Sequence, residues 1–154
     1  MKKIIPDVID NQNIVTVSSS TSALAIAKIM KEKRIAAVLV TENNNLLGII
    51  TERDITTRVV ALEGDPNKVY AHDIMTNNPD TLKPDDTPYQ AIKMMIARNY
   101  RHLPVKDGNQ ILGLVSIRDL YAVNTKELWS YNKELKKEIK DQNIFIQGEN
   151  YGIG

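Results

Sequence analysis

The chain has 154 residues, 42% of them apolar, and its 20 basic and 19 acidic side chains leave a formal charge of +1. That length and composition suit one compact body with an ordinary core and exclude an intrinsically disordered chain. Near-neutral charge gives no general pull toward a polyanion, so no nucleic-acid partner is expected, and the lack of cysteine excludes disulfides, thiol catalysis and cysteine-based zinc sites.

The start, Met1-Lys2-Lys3-Ile4-Ile5-Pro6-Asp7, lacks the apolar stretch and cleavage site of a signal peptide. No window approaches the roughly 18 apolar residues of a membrane span. A cytoplasmic location without a membrane partner is therefore expected.

An extended segment, Ile14 to Val17, leads into a hydroxyl cluster, Ser20 to Ser22, which reads as a helix cap. The helix that follows carries Ala23, Ile26, Ala27 and Met30 on one stripe. The period then changes to a strand over Ile35 to Val40, a turn at Asn43 to Asn45 and a second strand over Leu46 to Ile50. Gly48, inside that strand, suggests close approach of another backbone or a ligand. A second helix starts at Thr51, and Gly64 to Asn67 breaks it.

The same succession then returns. Asn13 to Asp54 recurs without a gap as Asn78 to Asp119 at a constant offset of 65, with ten identical pairs, where composition alone gives roughly two or three. Asp80 to Leu82 repeats the first strand and Asp85 to Thr87 the cap, and Pro88, Ala91, Ile92 and Met95 repeat the stripe. His102 to Val105, Asp107 to Asn109 and Ile111 to Val115 follow, with Gly113 in the place of Gly48. The implied fold is an α/β (α+β sandwich) of two β-α-β-β-α units, 1–70 and 71–124, because one copy is too short to bury a core alone. An appended part, 125–154, holds an amphipathic helix over Lys126 to Lys140, a possible edge strand at Ile144 to Ile146 and a glycine-rich end.

Each copy closes its last strand on one phrase, Gly48-Ile-Ile-Thr-Glu-Arg-Asp54 and Gly113-Leu-Val-Ser-Ile-Arg-Asp119. The plain interpretation is a capping box, in which a hydroxyl and an acid three residues on satisfy two orphan amides. The same residues also suit a nucleotide: Thr51 or Ser116 offers a hydroxyl and Arg53 or Arg118 a charge to a phosphate. Asp54 or Asp119 would then accept from a sugar diol.

These phrases resemble the signature of the cystathionine β-synthase (CBS) domain, Gly-apolar-x-Thr/Ser-x-x-Asp after the third strand. The segments Arg101-His-Leu-Pro-Val105 and Asp73-Ile-Met-Thr76 share in the likeness, which covers nearly all of Ile14 to Leu120. Two such copies resemble a stand-alone CBS-domain pair, or Bateman module, with its units related by a pseudo-twofold axis. The resemblance implies a non-enzymatic regulatory module that binds an adenosine-containing ligand (AMP, ADP, ATP, NAD or S-adenosylmethionine) in clefts between the units. It also implies a homodimer acting on a regulated enzyme or transporter. Carried over by position, Thr51, Arg53 and Asp54 serve one cleft, with base contacts from Ile14 to Thr16 and from Ile35, Ala36 and Ala37. Ser116, Arg118 and Asp119 serve the other, with Asp80 to Leu82, including Thr81, and with Tyr100, Arg101, His102 and Leu103. Arg101 should favour the more anionic ligand there.

The alternative is a ligand-free interaction or dimerisation module that docks on an enzyme or transporter. Catalysis is not expected, since no Ser/His/Asp set or pair of catalytic acids is visible. His72 and His102, without cysteines or a paired acid at ligand spacing, are not expected to bind metal.

Overall fold

The computed structural model describes residues 1–124; the expected tail helix, edge strand and glycine-rich end lie outside the described residues. In chain order the elements are β1 (Thr16–Val17), α1 (Ala23–Lys33), β2 (Ala37–Glu42), β3 (Asn45–Thr51) and α2 (Glu52–Ile55), which widens into a π turn over Thr56–Val60. Then come α3 (Ala71–Ile74), β4 (Thr76–Asn77), α4 (Pro88–Arg98), β5 (His102–Asp107) and β6 (Gln110–Ser116). A helix, α5, occupies residues 117–124.

Local chemistry sets the boundaries in both copies alike. Ser22 caps α1 by accepting the Ala25 N–H at 3.2 Å, and Thr87 caps α4 by accepting that of Gln90 at 3.2 Å while the Gln90 side chain returns to the Thr87 N–H at 2.7 Å. At the far ends Arg34 and Asn99 are both left-handed at φ 55°, and the next N–H, of Ile35 or Tyr100, bonds back to Met30 or Met95. Ile35 therefore belongs to a helix cap, and β2 starts two residues later than its sequence suggests. The first strands are also shorter than expected. β1 holds two residues and its counterpart is a single parallel bridge, Leu82 to Val105, because turns at Ser18–Thr21 and Lys83–Asp86 follow at once.

The hairpins have one register. Ala37 faces Thr51 and Val40 faces Gly48; His102 faces Ser116 and Val105 faces Gly113, and each ladder slips just after the valine. Asn43 and Asn44, both with positive φ, close the first turn as a tight two-residue hairpin requires, and Gly108 with φ 55° serves the second.

The packing crosses the boundary between the sequence halves. Ala71 and Ile74, which follow the first copy, are buried in its core with Ile26, Val38 and Ile50. Ile4 and Ile9, which precede that copy, are buried in the second core with Leu82, Met95 and Val105. The two connecting segments do equivalent work at the strand glycines. β4 pairs with β3, Asn77 against Gly48 and Thr76 against Ile49, which gives a sheet in the order β1-β2-β3-β4. Along β6, the Gln12 side-chain amide does the same job by accepting the Leu114 N–H at 2.7 Å and donating to its carbonyl at 3.0 Å. The close approach suggested by Gly48 and Gly113 is thus made by the protein itself. A Cβ at Gly48 would stand 2.6 Å from Met75 Sδ and 2.8 Å from the Thr76 carbonyl oxygen, and one at Gly113 would meet Ile9 Cδ1.

A third apolar layer joins the copies. Ala37, Leu39 and Ile49 pack with Leu46 of the first copy and with Ile111 and Leu114 of the second. Leu46 and Ile111, and likewise Ile49 and Leu114, are equivalent positions, so the layer lies on the pseudo-twofold axis. Both copies fall in one compact unit, Met1–Leu120.

Gly48→Ala should lower the unfolding free energy by about 1–3 kcal/mol, since the obstacle includes backbone. Gly113→Ala should cost less, because Ile9 Cδ1 is the end of a rotatable chain. Equilibrium urea unfolding measures both, and equal losses would show Ile9 to be as fixed as the Thr76 backbone.

Candidate functional site

The two corners are built as capping boxes. Asp54 Oδ2 accepts the Thr51 N–H at 2.8 Å and its hydroxyl at 3.0 Å. Asp119 Oδ2 accepts the Ser116 N–H and hydroxyl, both at 2.7 Å, and the Asp119 N–H returns to Ser116 Oγ at 3.3 Å. Both carboxylates are thus folded back onto their own turns, as the plain interpretation required. Asp54 Oδ1 points elsewhere, toward Arg58 Nε at 3.5 Å, with the Asp54 side chain 14% exposed. Arg58 also donates to the carbonyls of Ile74 at 2.7 Å and Met75 at 3.3 Å, tying the corner to the segment that leads into β4.

The crevice beside the first corner is open. A cleft of about 950 Å³ is bounded on one side by Thr51, Arg53, Asp54 and Arg58, and on the other by Arg98 and Tyr100 to Leu103, with residues 76–80 between them. Its size is in the range of small-molecule sites. Four guanidinium groups line it. Arg58 and Arg98 face acids, Asp54 and Asp80, at 3.5 and 3.9 Å, whereas Arg53 and Arg101 are exposed and have no ion-pair partner among the described residues. The Tyr100 hydroxyl donates to Asp80 Oδ2 at 2.7 Å. Burial first, then that hydrogen bond, push its ionisation up to about 12, so the phenol stays a neutral donor. His102 is held below the usual imidazole range, chiefly by burial, with Asp119 and Glu52 opposing the shift and Arg101 and Arg118 adding to it.

The CBS domain family model matches residues 7–61 and again residues 71–124. The chain belongs to the CBS-domain family. Among its relatives, the Methanopyrus kandleri protein MK0525 is 34% identical over 82% of this chain and 65% of its own length, and the CBS domain-containing protein YhcV of Bacillus subtilis is 30% identical over 85% and 91%. The chain spans only 19% of the Arabidopsis thaliana protein CBSCBSPB2, at 33% identity over 66% of this chain. Among solved structures, a CBS-domain protein of Burkholderia ambifaria superposes with a TM-score of 0.73 at 29% identity, over 95% of this chain and all of that one. The hexameric CBS-CP12 protein of bloom-forming cyanobacteria shares the fold, with a TM-score of 0.71 at 23% identity over 92% of this chain and 88% of that one. CBS pairs are in general regulatory, ligand-sensing modules.

In this CBS pair the first corner shares its cleft with the helix-to-strand turn of the second copy. Thr51, Arg53 and Asp54 line it with Tyr100, Arg101, His102 and Leu103, and of Ile14 to Thr16 and Ile35 to Ala37 only Ala36 joins them. The reason is the dyad layer. With Ile49 packed beside Leu114, the corner after β3 looks across at the helix-to-strand turn of the other copy. Ala37 is consumed by that layer, Ile35 packs on the first core, and Thr16 and Thr81 are exposed and do not line this cleft. Ser116, Arg118 and Asp119 form the second corner, which also does not line it; Ser116 stands cross-strand from His102, which does.

Arg58 and Arg98 were missed. Arg58 is four residues past Asp54, a spacing that flags a helical ion pair, but Arg98 lacks such a signal because its role depends on the fold. His72 lies away from the cleft, stacked on Tyr70 with its Nδ1 2.9 Å from the Ser19 carbonyl oxygen.

Asp119→Ala removes the two hydrogen bonds that the carboxylate accepts at one corner and should cost about 1–2 kcal/mol of stability, the upper range for a lost cap. Asp119→Asn, which keeps an acceptor, should recover more than half. Chemical denaturation of the two variants gives the comparison.

Proposed function

We propose that this CBS pair is a regulatory module that binds an adenine nucleotide in the cleft between its copies and passes the bound state to a partner. The ligand class is AMP, ADP, ATP, an NAD-type dinucleotide or S-adenosylmethionine. The observation that carries this is the open cleft where Thr51, Arg53 and Asp54 face Arg101 and His102. Arg53 and Arg101, exposed and without acid partners among the described residues, suit a phosphate. Asp54 Oδ1 can meet a ribose diol while Oδ2 keeps its cap, so the corner holds its fold while it binds. Apolar walls from Ala36, Ile49 and Leu103, with the Tyr100 ring, offer the base a dry surface.

Regulation would follow by linkage. A ligand that touches both copies favours one relative setting of the two, and Arg58 carries that preference to Ile74 and Met75. The partner is an enzyme or transporter, the module itself is non-enzymatic, and it acts as a homodimer.

Thermal unfolding with AMP, ADP, ATP, NAD and S-adenosylmethionine tests the assignment. At a hundredfold excess over Kd the active ligand should add about 2.7 kcal/mol, a rise of several degrees. Arg53→Ala should leave the unliganded melting temperature in place and abolish most of the rise. Wild-type protein indifferent to all five ligands would leave the docking module as the better account.

A further inference from the structure

The two corners are equivalent in chemistry, but the registers across the hairpins from them are not. Ala37 faces Thr51 across the first hairpin, and its counterpart His102 faces Ser116 across the second. Ala37 is buried in the dyad layer, whereas His102 is half-buried and lines the cleft. The imidazole lies within electrostatic reach of both corners, with Glu52 from the first and Asp119 from the second favouring its protonation. Arg118 and its own neighbour Arg101 oppose it. Elsewhere around the cleft, Arg53, Arg58 and Arg98 outnumber Asp54 and Asp80. The imidazole is thus kept neutral chiefly by burial, against the pull of Asp119 and Glu52, and Arg101 and Arg118 add a smaller push that an entering anion would screen.

Resting on the assignment of the cleft to a nucleotide, we propose that His102 takes up a proton when a phosphate enters, so that phosphorylated ligands bind more tightly as the pH falls while an unphosphorylated nucleoside does not. The sign follows from charge. A phosphate between Arg53 and Arg101 screens the repulsion from Arg101 and adds negative charge beside the imidazole, so the bound state holds the proton more firmly than the free state. The extra affinity is complete below the free-state pKa and is lost as the pH rises through the bound-state value. One linked proton makes the affinity rise by at most about tenfold per pH unit within that window. Sensing through this cleft would then report ligand and proton together.

Calorimetry of AMP binding at pH 7.5 in buffers of different ionisation enthalpy decides it, since the ligand phosphate, with a second pKa near 6, is ionised there. Wild-type protein should take up a fraction of one proton per AMP. Adenosine should bind without uptake, and so should AMP in His102→Ala, a change that installs the residue found at the same register in the first copy. The chain has two histidines, so a second readout is direct: in the wild type, one imidazole resonance should titrate at higher pH with AMP than without it, and that resonance should be missing from His102→Ala. AMP bound with no proton uptake, or with uptake retained in the variant, would overturn the proton coupling and leave the nucleotide assignment standing. Failure of AMP, ADP, ATP, NAD and S-adenosylmethionine to bind at any pH from 6.5 to 8 would remove both. The wild-type proton count needs no variant, so a misfolded His102→Ala would not obscure the outcome.

Discussion

The apolar layer on the pseudo-dyad is the contact from which the rest of the arrangement follows. Ile49 and Leu114 meet there with Leu39, Leu46 and Ile111, and because β3 and β6 each run straight from that layer into a corner, fixing the layer fixes where the corners point. Neither copy could supply this surface alone. Each has its own core of buried aliphatic side chains, but the outer faces of the two hairpins would be exposed apolar patches if separated, and burying them against each other removes that cost. The cleft is the space left over where curved, twisted hairpins diverge from their shared contact.

A second constraint keeps the copies from separating. Ile4 and Ile9, ahead of the first copy in sequence, fill the second core, while Ala71, Ile74 and β4 complete the first. The strand glycines are where these exchanged segments lie closest, with Met75 and Thr76 on Gly48 and Ile9 and Gln12 on Gly113. The two solutions differ in kind. One uses a backbone ladder, and the other a single glutamine whose amide presents one donor and one acceptor to Leu114. A side-chain amide supplies two hydrogen bonds of backbone character at the cost of ordering one flexible side chain, so it is the lighter attachment of the two.

Much of this was legible because the pattern occurs twice. The stripes at Ala23, Ile26, Met30 and at Ala91, Met95, the caps at Ser22 and Thr87, and the paired corners are local, and 3.6- or 2-residue periodicity encodes them directly. The short helix α3 and strand β4 were not legible. Thr76 and Asn77 are exposed polar residues with no strand pattern, and they are extended only because Gly48 leaves room for a neighbour. Nor could the repeat say which corner faces which turn. Internal symmetry gives two equivalent sets of residues without saying whether a site is made within a set or between sets, and only the dyad packing decides that Thr51 and Asp54 share a cleft with Tyr100 to Leu103.

The corner itself joins fold and function in one carboxylate. Asp54 divides its two oxygens, Oδ2 to the Thr51 turn and Oδ1 toward Arg58 and the cleft. Capping and binding are usually framed as alternatives, but a carboxylate has lone pairs enough for both. The cap fixes the side-chain torsions, so Oδ1 is presented in one orientation. The Asp54 cap therefore leaves one carboxylate oxygen outside the hydrogen bonds of the turn yet fixed in place. The wall opposite the first corner has a chemistry of its own, since Arg101 and His102 stand there where the first copy has Ala36 and Ala37. Duplication supplied two equal frames, and the chemical difference at those two positions is what gives this cleft a guanidinium and an imidazole on the wall facing the first corner.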